Sequence, residues 1–474
     1  MVRLENYFRE PYNLAVATAR TCYSSRVISP ADVDRDEETR RQRDRIAESI
    51  YKAGHHTTIQ HPTFQFVLER VSRQFIWSFL HAHPFYNSEQ VSQRYVEVKP
   101  GNVTTPPLAE GARDVFRRVV GQQMDAYHRL SALLEPTVVR EYRALFPARD
   151  VSETRWKSAI RKRCQEVARY VLPVATHAHL YHTISGLTLH RYWRSCQQFD
   201  VPLEQRLVVE RMVEAVAAVD PAFMTLAEDP IPLDRTLEYQ AVARFQADRA
   251  RRPAAAFLEE FDRDLGPLTS KLVDYSARAP ETMAQAVRTV LGLPREALQD
   301  AEALAMVLDP ARNRLLGDAL TLTTMSKLSR TMSHPHFTFR KRLSHTADSQ
   351  DQRHRMVPAS RPVLSCHVMP ERPDYVIPAL IRETPEAEAF YRETMARIWL
   401  AIGELLELGA SEESAAYALP NAFPIRFEES GDLLHLHHKW VQRLCYTAQE
   451  EIWSASKDEV RQVAQLFPDL AQFI

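Results

Sequence analysis

The chain has 474 residues, 45% of them hydrophobic and 26% charged, and a formal net charge of -1. That is room for about two to four domains with an ordinary buried core, and it excludes a bulk field that gathers nucleic acid or a membrane surface. Five scattered Cys without a C-x-x-C pair and a total of only 11 Gly exclude a disulfide framework, a zinc ribbon and the Gly-rich phosphate loops of Rossmann or P-loop type. The opening MVRLENYFREPYNL has no apolar core of signal-peptide length, and no apolar run is long enough to cross a bilayer. The expected location is the cytoplasm.

In chain order, residues 11–20 read as a helix with Pro early. Residues 37–53 read as a charged amphipathic helix closed by Gly54. Thr63 to Val67 alternates and reads as a strand. Ser72 to Leu80 reads as a short helix ended at His83-Pro84, because proline disfavours the helical conformation in the residue before it. Tyr95 to Val98 reads as a second strand. Residues 111–135 form an amphipathic helix, with Val115, Phe116, Val119, Met124, Tyr127 and Leu130 on one face. Another helix runs over 153–172 to Pro173. The His-rich and aromatic stretch 174–197 reads as partly helical, and 203–226 as a further helix. Residues 228–258 read as a linker.

After that linker the pattern restarts. Arg3-Leu4-Glu5-Asn6-Tyr7 returns as Lys271-Leu272-Val273-Asp274-Tyr275, and the helix at 111–135 returns at 385–408. Glu166-Val-Ala-Arg-Tyr-Val-Leu-Pro173 returns as Glu413-Ser-Ala-Ala-Tyr-Ala-Leu-Pro420. Residues 81–94 match 340–353 through the Gln-Arg pairs Gln93-Arg94 and Gln352-Arg353. Four anchors in one order imply a tandem duplication. Two copies in one chain can pack as a pseudo-dimer. The expected divisions are copy one over 1–227, a linker and helical connector over 228–268, and copy two over 269–474.

Ser92-Gln93-Arg94 puts a hydroxyl beside a guanidinium, a pairing suited to phosphate. Joined to Gly54-His55-His56-Thr57 with His61 upstream and Glu166-Val-Ala-Arg169-Tyr-Val-Leu-Pro173 downstream, it resembles the flavin-dependent thymidylate synthases. The resemblance covers about residues 3–225 in copy one and, more weakly, about 271–465 in copy two.

The resemblance implies an α+β fold: two tandem domains, each a small twisted antiparallel sheet flanked by helices, paired as a pseudo-dimer that can associate into a homodimer. It implies dUMP as substrate, dTMP as product, FAD as cofactor, and NADPH and methylene-tetrahydrofolate as co-substrates. Ser92, Arg94 and Arg169 fall at catalytic positions of the family. Gln90, Gln93 and Glu166 join them at the nucleotide, with Arg353 and Arg443 from copy two. His55 falls at a histidine close to the flavin.

Departures from the family are concentrated at its Arg-His-Arg triplet, which clasps flavin phosphate. Copy one has His81-Ala82-His83 there, and His is mostly neutral at pH 7. Matching by the Gln-Arg pair puts Arg340-Lys341-Arg342 at the triplet of copy two, and sets Arg353-His354-Arg355 aside as out of place. Asp351 then replaces the serine. Cys196 stands at a nucleotide-binding Arg that copy two keeps as Arg443, and Ala416 replaces Arg169. The losses are complementary, so one composite site per pair of copies is expected. The alternative is a degenerate relative that binds flavin, nucleotide or a partner without catalysis. His-x-His pairs at 81/83, 177/179, 334/336 and 435/437 lack a carboxylate at fixed spacing, and no metal is expected. Nor is a nucleic-acid role: Arg249, Arg251 and Arg252 form one short basic run in the linker.

Overall fold

The computed structural model describes residues 1–81, 85–197, 200–245, 254–471 and 473, except for the side chain of His81. The strands are β1 Val2–Tyr7, β2 Thr63–Ser72, β3 Asn87–Gln90, β4 His177–Ser185, β5 Ser270–Tyr275, β6 His336–Ser344, β7 Ala359–Ser360 and β8 Pro424–Asp432. The helices begin with α1 Pro11–Thr21, α2 Glu37–Lys52, α3 Arg73–His81, α4 Glu110–Leu145, α5 Thr154–Ala168 and α6 Gly186–Arg194. They continue with α7 Pro202–Ala217, α8 Leu237–Phe245, α9 Ala254–Leu265, α10 Ala279–Leu291, α11 Asp300–Leu308 and α12 His345–Asp351. The last are α13 Ala379–Arg382, α14 Pro385–Glu407, α15 Glu412–Ala416, α16 Leu433–Arg443, α17 Glu450–Leu466 and α18 Pro468–Ala471.

Two antiparallel sheets share one strand order, β1-β2-β4-β3 and β5-β6-β8-β7. The central strands follow from alternation: Phe64, Phe66 and Leu68 on β2, and Phe337 and Phe339 on β6, point to one face and are fully buried. β2 carries an irregularity between Glu69 and Val71, where Arg70 has φ 56°. β6 runs without one, so β2 is one residue longer.

Two stretches differ from the sequence reading. Within 174–197, residues 177–185 are the strand β4, with Ala178, Leu180, His182 and Ile184 buried in alternation. His182 takes an apolar place there, which hid the period of two. Ser185 then caps α6, its Oγ accepting from Thr188 N–H at 3.2 Å. Tyr95 to Val98 is not a strand. Ser92 O accepts from the N–H groups of Tyr95 and Val96 in a turn, and both side chains are exposed. The strand of this region lies earlier, at β3.

The chain forms two compact units: 1–252 with 363–366 and 386–420, and 253–362 with 367–385 and 421–474. Residues 386–420, which the repeat assigns to copy two, therefore pack within the first unit. There Arg118 pairs with Glu404 at 2.5 Å, and Arg129 lies 4.2 Å over the Phe390 ring. Buried Gln123 donates to the carbonyls of Val171 and Ala418. In the second unit, Phe337, Phe339, Met283, Val287, Leu436 and Trp440 share one apolar core.

Candidate functional site

In both copies the turn from central strand to following helix is built the same way. Ser72 Oγ accepts from Phe75 N–H at 2.9 Å, while Ser72 N–H and O–H donate to the two oxygens of Glu204 at 2.8 and 2.6 Å. Ser344 Oγ accepts from Ala347 N–H at 3.2 Å, and its N–H and O–H donate to Glu451. A serine bonded to the first turn of a helix satisfies an orphan N–H there. Ser72 and Ser344 are thus the same position in the two copies.

In the first unit this turn leads into a cluster of arginines. Arg73, the first residue of α3, donates to Gln90 Oε1 at 3.2 Å and to Val91 O at 2.5 Å. Among the described residues its hydrogen-bond partners are these neutral acceptors. Burial, and after it the charge of Arg169, push Arg73 down to about 9, which still leaves it charged at neutral pH. Arg169 is 4% exposed and donates from Nε to Glu166 O at 3.1 Å. Glu166 spends its carboxylate elsewhere, on Arg94 Nε at 2.5 Å and Arg163 Nη1 at 3.0 Å. Ser92 Oγ accepts from Arg94 N–H at 3.2 Å, which leaves its own hydrogen to donate. Gln93 is buried beside them in sequence. Two buried guanidiniums repel each other, and an anion with several oxygens relieves this.

Gln90, Ser92, Arg94, Glu166 and Arg169 thus fall in one linked arrangement, with Arg73 added. Sequence reasoning missed Arg73 because a lone Arg after a strand has no distinctive spacing. The available signal was its place directly after the capping Ser72. Ser92 has no His or carboxylate hydrogen-bonded to it among the described residues, so it is set as a hydrogen-bond donor and not as an activated nucleophile.

The second unit corrects the match made through the Gln-Arg pairs. Arg340, Lys341 and Arg342 lie on β6, before Ser344, and not after the helix as the triplet requires. Their charges are already committed. Arg340 pairs with Glu428 at 2.7 Å and Asp264 at 2.6 Å. Arg342 pairs with Asp374 at 3.1 Å, and Lys341 is wholly buried among carboxylates. They hold the sheet to its surroundings and do not stand open to a flavin diphosphate.

Arg353-His354-Arg355 instead begins nine residues after Ser344, as His81-Ala82-His83 begins nine residues after Ser72. It occupies the triplet position of copy two. Arg353 and Arg355 are exposed. His354 Nε2 accepts from Arg443 Nε at 2.8 Å, and Arg443 also donates to Gln350 O at 3.0 Å. Burial first, then Arg443 and Lys439, hold His354 well below the usual histidine range, so it is neutral.

Arg353 is therefore not the counterpart of Arg94. In the sheets Ser88 faces His182 and Ala359 faces Glu429, each three residues before its helix cap. Counting on from there, Val363 and Ser365 stand where copy one has Ser92 and Arg94. Copy two thus lacks the Ser-x-Arg pair of copy one.

His55 lines a pocket of about 580 Å³ between α1 and α2, with Arg20, Tyr23, Ile46 and Ile50, apart from the arginine cluster. The His81 side chain and His83 lie outside the described residues, as do Arg249, Arg251 and Arg252. Among the described residues, no group of three or more His, Cys, Asp or Glu is placed to hold a metal ion, and no helix is long and apolar enough to cross a membrane.

The sequence profile described as "Thymidylate synthase complementing protein" matches residues 3–222 and again 271–469. The chain belongs to this family, that of the flavin-dependent thymidylate synthases. The double match agrees with the two sheets of like order and with tandem domains of the family. The flavin-dependent thymidylate synthase of Clostridium tetani is 26% identical over 223 residues, spanning 46% of this chain and 83% of that protein. That of Mycobacterium tuberculosis is 28% identical over 183 residues, spanning 36% and 65%. Among solved structures, a UMP/dUMP methylase from Streptomyces cacaoi bound with 5-Br dUMP is 19% identical, covering 48% of this chain and 93% of that one, with a TM-score of 0.30. The flavin-dependent thymidylate synthase of Helicobacter pylori, complexed with FAD and dUMP, is 16% identical, covering 49% and 99%, with a TM-score of 0.32.

Proposed function

We propose that the chain is an FAD-dependent enzyme that methylates dUMP to dTMP, with methylene-tetrahydrofolate and NADPH as co-substrates. The observation that carries this reading is the buried pair Arg73 and Arg169, where Arg73 meets neutral acceptors and Glu166 is turned to Arg94 and Arg163. That is a donor set suited to a nucleotide phosphate. In this reading Arg73, Arg94 and Arg169 bind the phosphate as fixed cations, and Ser92 O–H donates one more bond. Glu166 aims Arg94. No protein nucleophile is needed, in keeping with the bonding of Ser92.

The exposed Arg353 and Arg355 fit a flavin diphosphate, one cation on each side of a neutral His354 held by Arg443. When bound, the flavin supplies the redox chemistry, and the protein supplies orientation and charge. One complete triplet and one complete phosphate grip are present per chain.

Methylation at C5 of the uracil ring displaces the hydrogen there. Tritium at C5 of dUMP is therefore expected in water when NADPH and methylene-tetrahydrofolate are both present, and retained when either is left out. A second reading is favoured by one observation, the replacement of the triplet in copy one and of the phosphate grip in copy two: a scaffold that binds flavin or nucleotide without turnover. Bound FAD with no tritium release would establish that reading instead.

A further inference from the structure

Beneath the Arg353-His354-Arg355 triplet lies a closed set of buried charges that the proposed function does not use. Lys341 on β6, Asp351 at the end of α12, Glu429 on β8, Lys439 on α16 and Glu459 on α17 are each at most 1% exposed. Lys341 Nζ lies 2.9 Å from Asp351, 3.0 Å from Glu429 and 3.0 Å from Glu459. Lys439 Nζ lies 2.9 Å from Asp351 and also bonds Glu429 Oε2. Alongside, Arg361 and Asp348 close a pair of their own, with two bonds of 2.8 Å.

In copy one, three of these five positions, those of Asp351, Glu429 and Lys439, are aromatic. Phe79 stands seven residues after Ser72, as Asp351 does after Ser344. His182 and Tyr192 stand where Glu429 and Lys439 do relative to the caps Ser185 and Asp432. Those rings pack together, with Phe79 4.5 Å from Tyr192 and 5.3 Å from His182. A packed aromatic cluster meets the structural need there, so the ionic version in copy two is not required by the fold.

Counting charge decides what the ionic version contains. Two lysines face three carboxylates, which leaves one excess negative charge in a site closed to water. An uncompensated buried charge costs several kcal/mol, so one carboxyl takes up a proton. Glu459 is not that group: besides Lys341 it accepts from Ser270 Oγ at 3.0 Å and Trp440 Nε1 at 2.7 Å. Glu429 Oε1 is the oxygen that receives no hydrogen bond, and Asp351 Oδ1 accepts none of hydrogen-bond geometry, with only the Lys439 ammonium beside it.

We propose that Asp351 and Glu429 share one proton between Lys341 and Lys439, and that this pair regulates the charge beneath the Arg353-His354-Arg355 triplet, neutral with the proton and net negative without it. The proton sits on Glu429 Oε1 and leaves to bulk water as pH rises; no other bond changes. The groups facing the pair support this order of titration. Burial, then Asp351, push Glu429 up to about 7, against the two lysines. Asp351, which burial alone would raise, is held well below the carboxylate range by Lys341 and Lys439. Lys341, which burial alone would lower, is held well above the lysine range by Asp351, Glu429 and Glu459. Asp351 ends the helix two residues before Arg353, and His354 N–H donates to its carbonyl at 3.1 Å, so the charge change occurs directly behind the triplet.

A Glu with a raised folded pKa contributes stability that is present below its unfolded value and lost as pH rises through about 7. Asp200 and Glu413, in the other unit, are also raised to about 7, so the test compares variants. The full-length chain is examined by difference infrared spectroscopy between about pH 5.5 and about pH 8.5, beside FAD titrations at the same two values. The expected result is a protonated-carboxyl band that disappears at high pH and is absent from Glu429→Gln, with FAD bound several-fold more weakly at high pH by the wild type only. Glu429→Gln is the isosteric mimic of the protonated form, so its FAD affinity should match the wild type at low pH. If that variant does not fold, Asp351→Asn decides, since removing the neighbouring charge moves the band's loss to lower pH. A band unchanged by both substitutions overturns the shared proton, and equal FAD affinity at the two pH values in the wild type overturns its action on the triplet. The second readout rests on the triplet as the flavin grip: no FAD binding at any pH overturns both, while the infrared result still decides the proton.

Discussion

Arg73 is the residue on which the nucleotide reading turns. It is a buried cation bonded to an amide side chain and a backbone carbonyl, with the charge of Arg169 close by. A cation buried for structure alone is normally faced by a carboxylate, because an unpaired charge costs several kcal/mol. Arg73→Met keeps the volume and removes the charge. Its expected signature is split. The unliganded melting temperature stays level or rises, since a repulsion between buried cations is gone. The affinity for dUMP falls by roughly 10- to 100-fold, the loss of about two charge-assisted hydrogen bonds. Melting curves with and without dUMP read both quantities in one experiment. A lower melting temperature together with unchanged dUMP binding would make Arg73 structural.

At the scale of elements, the junction from strand to helix is what sets the two copies in register. The duplication was legible because apolar alternation and the Glu-x-x-x-x-x-Leu-Pro anchor survive in both copies. The linked arrangement of Ser92, Arg94, Glu166 and Arg169 was legible because Ser92-Gln93-Arg94 and Glu166 to Arg169 are short motifs in order. The triplet of copy two was not. Gln93-Arg94 and Gln352-Arg353 look alike, but a match of two residues recurs freely along a chain, whereas the capping Ser72 and Ser344 are fixed by bonds to Glu204 and Glu451. Alignment on those serines exposes Arg353-His354-Arg355. Likewise β4 was obscured because His182 is buried in an aromatic cluster, where its polarity misleads a reading by period. The corrected register has a direct consequence. Replacing Arg353 and Arg355 together by Ala should weaken FAD binding by roughly 10- to 100-fold with little change in melting temperature, because both are exposed. Replacing Arg340 by Met should do the reverse. It leaves Glu428 without its partner and Asp264 with Lys271 alone, and costs about 1 kcal/mol of stability, while FAD binding holds. Titration of flavin fluorescence and thermal melts of the same samples compare the two.

For the whole molecule, the central claim is that duplication was followed by division of labour. Copy one retains Arg73, Ser92, Arg94 and Arg169 and carries His81-Ala82-His83 at the triplet position. Copy two retains the triplet and Arg443, and carries Val363 and Ser365 at the positions of the grip. The two sheets share one strand order, so the difference lies in side chains at matched positions and not in the fold. The buried aromatic cluster of copy one and the ionic cluster of copy two are a second case of the same divergence. If function has been divided in this way, the chain carries one flavin-binding triplet, not two. The most direct measurement is the FAD content of the purified full-length protein, taken from its visible absorption against protein concentration after saturation. The expected value is one FAD per chain, lost in the Arg353→Ala, Arg355→Ala double variant. Two FAD per chain, or one that persists in that variant, would contradict the account.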